Sequence, residues 1–441
     1  MLNISEKKNH ILIGVIVSLI ILITVDFNGV IEGDTESYLD VAKHGFNSDS
    51  IRFRPILYPL FLKLSFLITS ENIFSGIVLI QLSFYLIATY VFFYILDNEI
   101  NFIKLNIKLI GLLVLVSVAS PNTIASNSLI LPEILPLTFI LLITYLASIN
   151  INTISKSFVF GILLIIPALF KPLWLFLVIM PLLNLVWHYK PRGKYLYNII
   201  IPISIAIFLF TIHQSLIRRN ISDGNQLAST MDVNLNLAII RCGIISGTDG
   251  TKLFNFLSNN GLADKIRIRK WNNSKEEFEE FTNIKNQIPW KFREDKEYWR
   301  KALQNKNNLL TFGFVQLKRV RIFYTTSASN NSIQIGPNFV NYIYQSFYHW
   351  VHKLFVFPIF IFLTYRVIRK KEPGLIVVFW FVILISSLIL AVLTYQDPQF
   401  IRMRIAIEPI LLFLTLFGFW RMFTILKSFS KIKYIGKFSR I

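Results

Sequence analysis

Long apolar stretches separated by short polar ones make up most of this chain. Ten apolar stretches predict membrane-embedded helices: 11–25, 74–96, 109–119, 129–147, 158–170, 173–187, 199–212, 350–365, 375–393 and 405–423. A further stretch, 56–70, is interrupted by Pro59 and Lys63 and predicts a second surface or re-entrant helix. The pattern therefore predicts an all-α polytopic membrane protein with about ten transmembrane helices.

The apolar pattern breaks once, between residues 214 and 342. Asp, Glu, Asn, Lys and Trp become common there, and the runs SKEEFEEF and REDKEYWRKAL predict amphipathic helices. The chain thus divides into an N-terminal transmembrane part (1–213), a mainly helical extracytoplasmic insertion (214–342), and C-terminal transmembrane helices with a basic tail (343–441).

Composition supports a membrane protein. Hydrophobic residues make up 54% of the 441 residues, more than a soluble domain of this size needs. The net charge of +20 favours contact of basic loops with anionic membrane lipids and not with nucleic acid. The single cysteine excludes an intrachain disulfide and a cysteine-based metal cluster.

The short basic loops predict the orientation. Lys7 and Lys8 precede the first span, and RVIRKK follows the eighth, so we expect both ends in the cytoplasm. Segments 26–55, 214–340 and 395–404 should then face outward. Segments 188–196 and 366–374 and the C-terminal tail should face inward.

Charged residues gather in the first outer loop, 26–55, and especially from residue 33 onward. Asp34 can cap a helix that ends at Gly45, with Tyr38, Val41 and Ala42 on its apolar face. One interpretation is therefore an amphipathic surface helix with a capping aspartate. The other is a functional site.

The stretches GDTESYLDVA and RFRPILYPLFL resemble the first outer loop of the GT-C superfamily of membrane glycosyltransferases. That superfamily includes protein mannosyltransferases and the aminoarabinose transferases of lipid A. The matching positions are Asp34, Tyr38, Arg54, Tyr58 and Pro59. The resemblance implies a GT-C-like fold in a bacterial inner membrane and a polyprenyl-phosphate sugar donor used on the extracytoplasmic side.

Further charged residues lie near the outer ends of predicted spans. Glu133 lies in NSLILPEILPL, where family members often carry an acid; a helix dipole could also explain it. Lys171, in FKPL, resembles a basic residue of the family or snorkels to the interface. Arg402 and Arg404 precede IAIEPILLFL and suit a phosphate, or else anchor the helix at the interface.

Metal binding has little support in the sequence. His349 and His352 share a predicted helix face and His213 lies at similar depth, but such residues are more often interfacial. The chain has neither a glycine-rich nucleotide fingerprint nor Asp-x-Asp in the relevant loops, which favours a lipid-linked donor. The sequence requires no cofactor; a divalent metal is possible but unsupported.

The resemblance and the residues together predict a glycosyltransferase with a glycan, lipid or protein acceptor. Asp34 would be the catalytic base, and Glu133 a second catalytic residue. The predicted substrate-binding residues are Tyr38, Arg52, Arg54, Tyr58, Lys171, Arg402 and Arg404. One base with direct displacement would invert the anomeric centre. Alternatives are a transporter or flippase of lipid-linked sugars, or a polysaccharide polymerase or ligase.

Overall fold

The computed structural model describes residues 15–16, 18–19, 25, 27–31, 34–52, 54–69, 74–100, 107–149, 151, 153–187, 197–218, 226–267, 275–325, 338–370, 372, 374–393 and 404–438. The regular structure in these ranges is helical, as the sequence predicts. An isolated parallel β-bridge joins Val30 to Leu129.

The described residues from 34 to 218 form nine α-helices. They are α1 Thr35–His44, α2 Leu57–Ile68, α3 Ser75–Ile100, α4 Ile107–Val118, α5 Pro121–Ala125, α6 Leu135–Ser148, α7 Ile154–Phe170, α8 Met180–Trp187 and α9 Tyr197–Arg218. A 3₁₀-helix, Pro172–Ile179, joins α7 to α8. Two prolines flank this junction, since Pro167 lies inside α7 and Pro172 begins the 3₁₀-helix. Lys171, between the two helices, has an extended backbone conformation.

The remaining described helices continue the numbering. They are α10 Gln226–Arg241, α11 Lys252–Asn259, α12 Leu262–Arg267, α13 Lys275–Gln287, α14 Trp290–Arg293, α15 Lys296–Gln304, α16 Lys306–Thr325, α17 Asn338–Trp350, α18 Phe357–Ile368, α19 Gly374–Leu393 and α20 Glu408–Phe438. A π-helical segment, Val351–Val356, makes α17 and α18 continuous.

Five helical segments in the described residues are long and apolar enough to cross a membrane, which is consistent with a membrane protein. They are Ser75–Asp97, Ile199–Leu216, Tyr342–Ile368, Gly374–Val392 and Ile405–Lys427. Each coincides with a predicted span. Four other predicted spans, 109–119, 129–147, 158–170 and 173–187, form shorter helices, and the first, 11–25, lies mostly outside the described residues.

These helices share one apolar core, into which α1 and α2 also pack. Close approach is allowed by small residues. A Cβ added at Gly161 of α7 would lie 2.9 Å from the Pro202 carbonyl oxygen in α9. The end of α16 joins the same core through Phe323 and Tyr324.

Buried apolar residues of the insertion, among the described positions from Val233 to Phe312, form a second apolar core. Residues 275–281 of the run SKEEFEEF lie in α13, and the run REDKEYWRKAL extends from the last residue of α14 through most of α15, so the predicted amphipathic helices are confirmed. Helix α16 contributes Phe312 to this core and Phe323 to the other. The insertion and the apolar helices are therefore connected through one continuous helix.

The segment between α4 and α6 differs from its prediction. Residues 120–127 fall between the predicted spans 109–119 and 129–147, a position that predicts a small outer turn, yet every residue from 117 to 138 is buried. Helix α6 begins at Leu135 and not at Leu129, so Glu133 precedes the helix instead of lying one turn inside it. We call residues 119–134 the buried segment.

Candidate functional site

Helix α1 forms as the sequence predicts. Tyr38, Val41 and Ala42 are buried on one face, and Gly45 ends the helix with φ +59°, a left-handed value that favours glycine. The carboxylate of Asp34 makes no capping hydrogen bond to α1 within the described structure. Its observed partner lies elsewhere, which weakens the interpretation of Asp34 as only a helix cap.

That partner is Arg54. Its Nη2 donates to Asp34 Oδ1 at 2.6 Å, and its Nε donates to Ser37 Oγ at 2.7 Å. The guanidinium also lies 4.7 Å from the centre of the Tyr38 ring. Helix α1 and the residue that precedes it therefore supply three groups that orient one arginine, and the Asp34 side chain remains 31% exposed.

Two tyrosines extend the site inward. The rings of Tyr38 and Tyr58 meet edge to face with centres 5.1 Å apart. Tyr58 Oη donates to Gln81 Oε1 at 3.2 Å, and Gln81 Nε2 donates to the carbonyls of Asn127 and Leu129 at 2.9 and 2.8 Å. The tyrosines are thus connected to the buried segment.

The buried segment brings a second carboxylate. Lys171 Nζ donates to Glu133 Oε1 at 2.7 Å, with the two side chains only 8% and 1% exposed. Glu133 belongs to the buried segment that Tyr58 reaches through Gln81. Six predicted residues, which we call the Asp34 cluster, therefore lie in one connected arrangement: Asp34, Tyr38, Arg54, Tyr58, Glu133 and Lys171.

Arg404 lies in a different group. It pairs with Glu408 at 3.3 Å, and its Nη1 donates to the carbonyl of Phe323. Asn122 donates to both oxygens of Glu408 at 3.0 Å, and His352 Nε2 lies 3.6 Å from Oε1. We call these buried side chains, Asn122, His352, Arg404 and Glu408, the Glu408 cluster.

The Glu408 cluster bears on the predicted phosphate contacts. The charge of Arg404 is matched by Glu408, and the side chain is 1% exposed, so a phosphate would have to displace this pairing. Its phosphate role stays a prediction. Arg402 and the side chain of Arg52 lie outside the described residues.

Several partners of these residues were missed in the sequence. Ser37 and Gln81 look like ordinary polar positions, whereas Glu408 carried a usable signal, an acid at the start of a long apolar run.

Lys285, on α13 of the insertion, was also missed. Burial and Arg293 hold its pKa below the ordinary value, and the negative charge of Asp34 acts in the opposite direction. The insertion thus comes within electrostatic reach of the Asp34 cluster.

The arrangement offers an accessible carboxylate beside cationic groups. Asp34 can meet a ligand from solvent, whereas Glu133 can act only through Lys171 or after a rearrangement. Within the described ranges no group of three or more His, Cys, Asp and Glu is placed to hold a metal ion.

Comparisons with protein-family models, curated proteins and solved structures found no match for this chain.

Proposed function

We propose that this protein is a membrane glycosyltransferase that moves a sugar from a polyprenyl-phosphate donor to an acceptor hydroxyl, with inversion. The observation that carries the proposal is the Asp34–Arg54 pair, a partly exposed carboxylate held against a guanidinium. This reaction needs a base for the hydroxyl proton and positive charge for the departing phosphate.

In the proposed step, Asp34 accepts the proton of the acceptor hydroxyl, and the oxygen of that hydroxyl attacks the anomeric carbon. The bond between that carbon and the phosphate oxygen breaks, and the phosphate leaves with the electron pair. Arg54 suits the leaving phosphate because its planar fork matches two oxygens. Lys171 would add charge from the buried side.

The contact seen between Arg54 and Asp34 also suggests an order of events. A neighbouring guanidinium stabilises the charged carboxylate and so makes it a weaker base. Donor phosphate would compete for Arg54 and leave Asp34 more basic. We therefore expect the donor to bind before the acceptor is activated.

Transfer by purified protein tests the proposal, with defined polyprenyl-phosphate sugars as donors and released polyprenyl phosphate as the readout. Asp34→Asn should insert normally, bind donor and lose about a hundred- to ten-thousand-fold in rate. Asp40→Asn on the same helix is the control, because an amide can still accept from Ser48. Near-normal turnover by Asp34→Asn would refute Asp34 as the base.

A transporter of lipid-linked sugars is the second candidate. Ionisable groups buried among membrane helices often mark transport pathways, and the Glu408 cluster has that character. A transporter would move a labelled lipid-linked sugar between the leaflets of a vesicle and form no glycosylated product. A transferase would form the product and leave the distribution of the labelled lipid between leaflets unchanged.

A further inference from the structure

Helix α16 exposes an apolar stripe. Leu309, Leu310, Phe314 and Leu317 are 50–67% exposed and lie on one side of the helix. Four large apolar residues in one stripe are unusual on a water-facing surface. The stripe therefore needs an occupant.

The opposite side of α16 fixes where the stripe lies. Arg319 Nη1 donates to the carbonyl of Ala391 at 3.0 Å, and Tyr324 Oη donates to Ser387 Oγ at 3.0 Å. These two contacts make α16 antiparallel to α19, whose residues Gly374–Val392 form a candidate span. Arg319 is thus level with one end of that span, where hydrocarbon gives way to lipid headgroups.

Distances along α16 place the stripe beside that boundary. At about 1.5 Å per residue, Leu317 lies about 3 Å beyond Arg319 and Phe314 about 8 Å beyond it. The headgroup layer is about 5–8 Å thick on each side of a bilayer. Leu317 and Phe314 therefore fall within it, and Leu309 and Leu310 reach it if this half of α16 leans along the membrane surface.

The charged residues of α16 also favour the headgroup layer of a membrane. Helix α16 contains Lys306, Lys318, Arg319 and Arg321 but neither Asp nor Glu. Lys318 and Arg321 are exposed next to the stripe, and Lys318 Nζ lies 4.7 Å from the centre of the Phe314 ring. An apolar stripe flanked by basic residues is the pattern of helices that lie in an anionic membrane interface.

We propose that the exposed face of α16 is embedded in the lipid interface at the end of α19, with Lys318 and Arg321 on lipid phosphates. Because α16 carries residues of both apolar cores, this contact would hold the insertion against the membrane surface. The inference does not depend on the proposed reaction.

Nitroxide labels on the full chain test the proposal. In a Cys242→Ser background, single cysteines replace Phe314 and Leu317, and the protein is reconstituted in vesicles of phosphatidylcholine and phosphatidylglycerol. Both labels should meet dissolved oxygen several-fold more readily than a water-soluble nickel chelate. Glu297→Cys on α15, whose native side chain is 69% exposed, should show the reverse preference.

Three outcomes overturn the proposal in whole or in part. Nickel access at both stripe positions would mean that the face is in water. Shielding from both reagents would mean that protein covers it, either a second copy or another partner. If Lys318→Gln with Arg321→Gln leaves the oxygen preference unchanged in vesicles with and without phosphatidylglycerol, the phosphate contacts are refuted.

Discussion

The Glu133–Lys171 pair allows a quantitative test of the Asp34 cluster. At 2.7 Å and an effective dielectric constant of about 20, the attraction between the two charges is roughly 6 kcal/mol. Desolvating each ion costs several kcal/mol, so the pair as a whole adds little net stability. Removing one partner leaves the other charge buried and should cost about 3–5 kcal/mol.

The perturbation is a double-mutant cycle with Glu133→Met and Lys171→Met. Each single variant should lose about 3–5 kcal/mol of unfolding free energy, whereas the double variant should lie close to the wild type, because methionine fills similar volume without charge. Equilibrium unfolding in mixed micelles with increasing dodecyl sulfate, followed by circular dichroism, measures all four proteins.

An exposed pair on α15 provides the matched control. Glu297 and Lys301 are 3.9 Å apart with side chains 69% and 41% exposed, so their cycle should give a coupling below about 1 kcal/mol. A coupling that small for Glu133 and Lys171 would refute the reasoning, because it would mean that the pair is hydrated.

Three further predictions concern packing, pH and orientation. Gly161→Ala should lower the unfolding free energy by about 1–3 kcal/mol, because its Cβ would meet the Pro202 backbone, while Gly313→Ala, with open space around it, should raise it by about 0.5–1 kcal/mol. Burial raises the pKa of Asp232, so the stability of the insertion should fall as pH rises from about 4 through that raised value. Hydrogen exchange of the insertion measures this dependence, and Asp232→Asn should flatten it. An unchanged slope in the variant would contradict the prediction. In a Cys242→Ser background, a cysteine at position 43 should react with an impermeant reagent from outside and one at position 370 should not; labelling of 370 would reverse the assignment.

Patterns with a clear period were predictable from the sequence. The apolar face of α1 and the amphipathic α13 and α15 follow from residue spacing, and five of the predicted apolar stretches overlap candidate spans. The link between Asp34 and Arg54 could be suspected only from the family resemblance, because the residues are 20 positions apart and lie across a loop.

The buried segment could not be predicted. Its Ser, Thr and Asn residues have the composition of a surface turn. Ser126 Oγ and Asn127 Nδ2 donate to nearby carbonyls, and Asn122 Nδ2 donates to Glu408, 286 positions away. Neither kind of partner is visible in a hydropathy pattern. Helix α16 falls within the predicted extracytoplasmic insertion, 214–342, because its apolar and basic residues are mixed in sequence.

The buried segment also constrains how the protein is assembled in the cell. A translocon releases helices into lipid in sequence, but residues 119–134 carry polar groups that pure lipid cannot satisfy. The hydrogen bonds of Asn122 to Glu408 can form only after Glu408 has been synthesised, much later in translation. We therefore expect the insertion machinery or a chaperone to shield the segment between α4 and α6 until α20 has been synthesised. A chain stalled before α20 should therefore be a substrate for membrane proteases, while one stalled after α20 should be resistant.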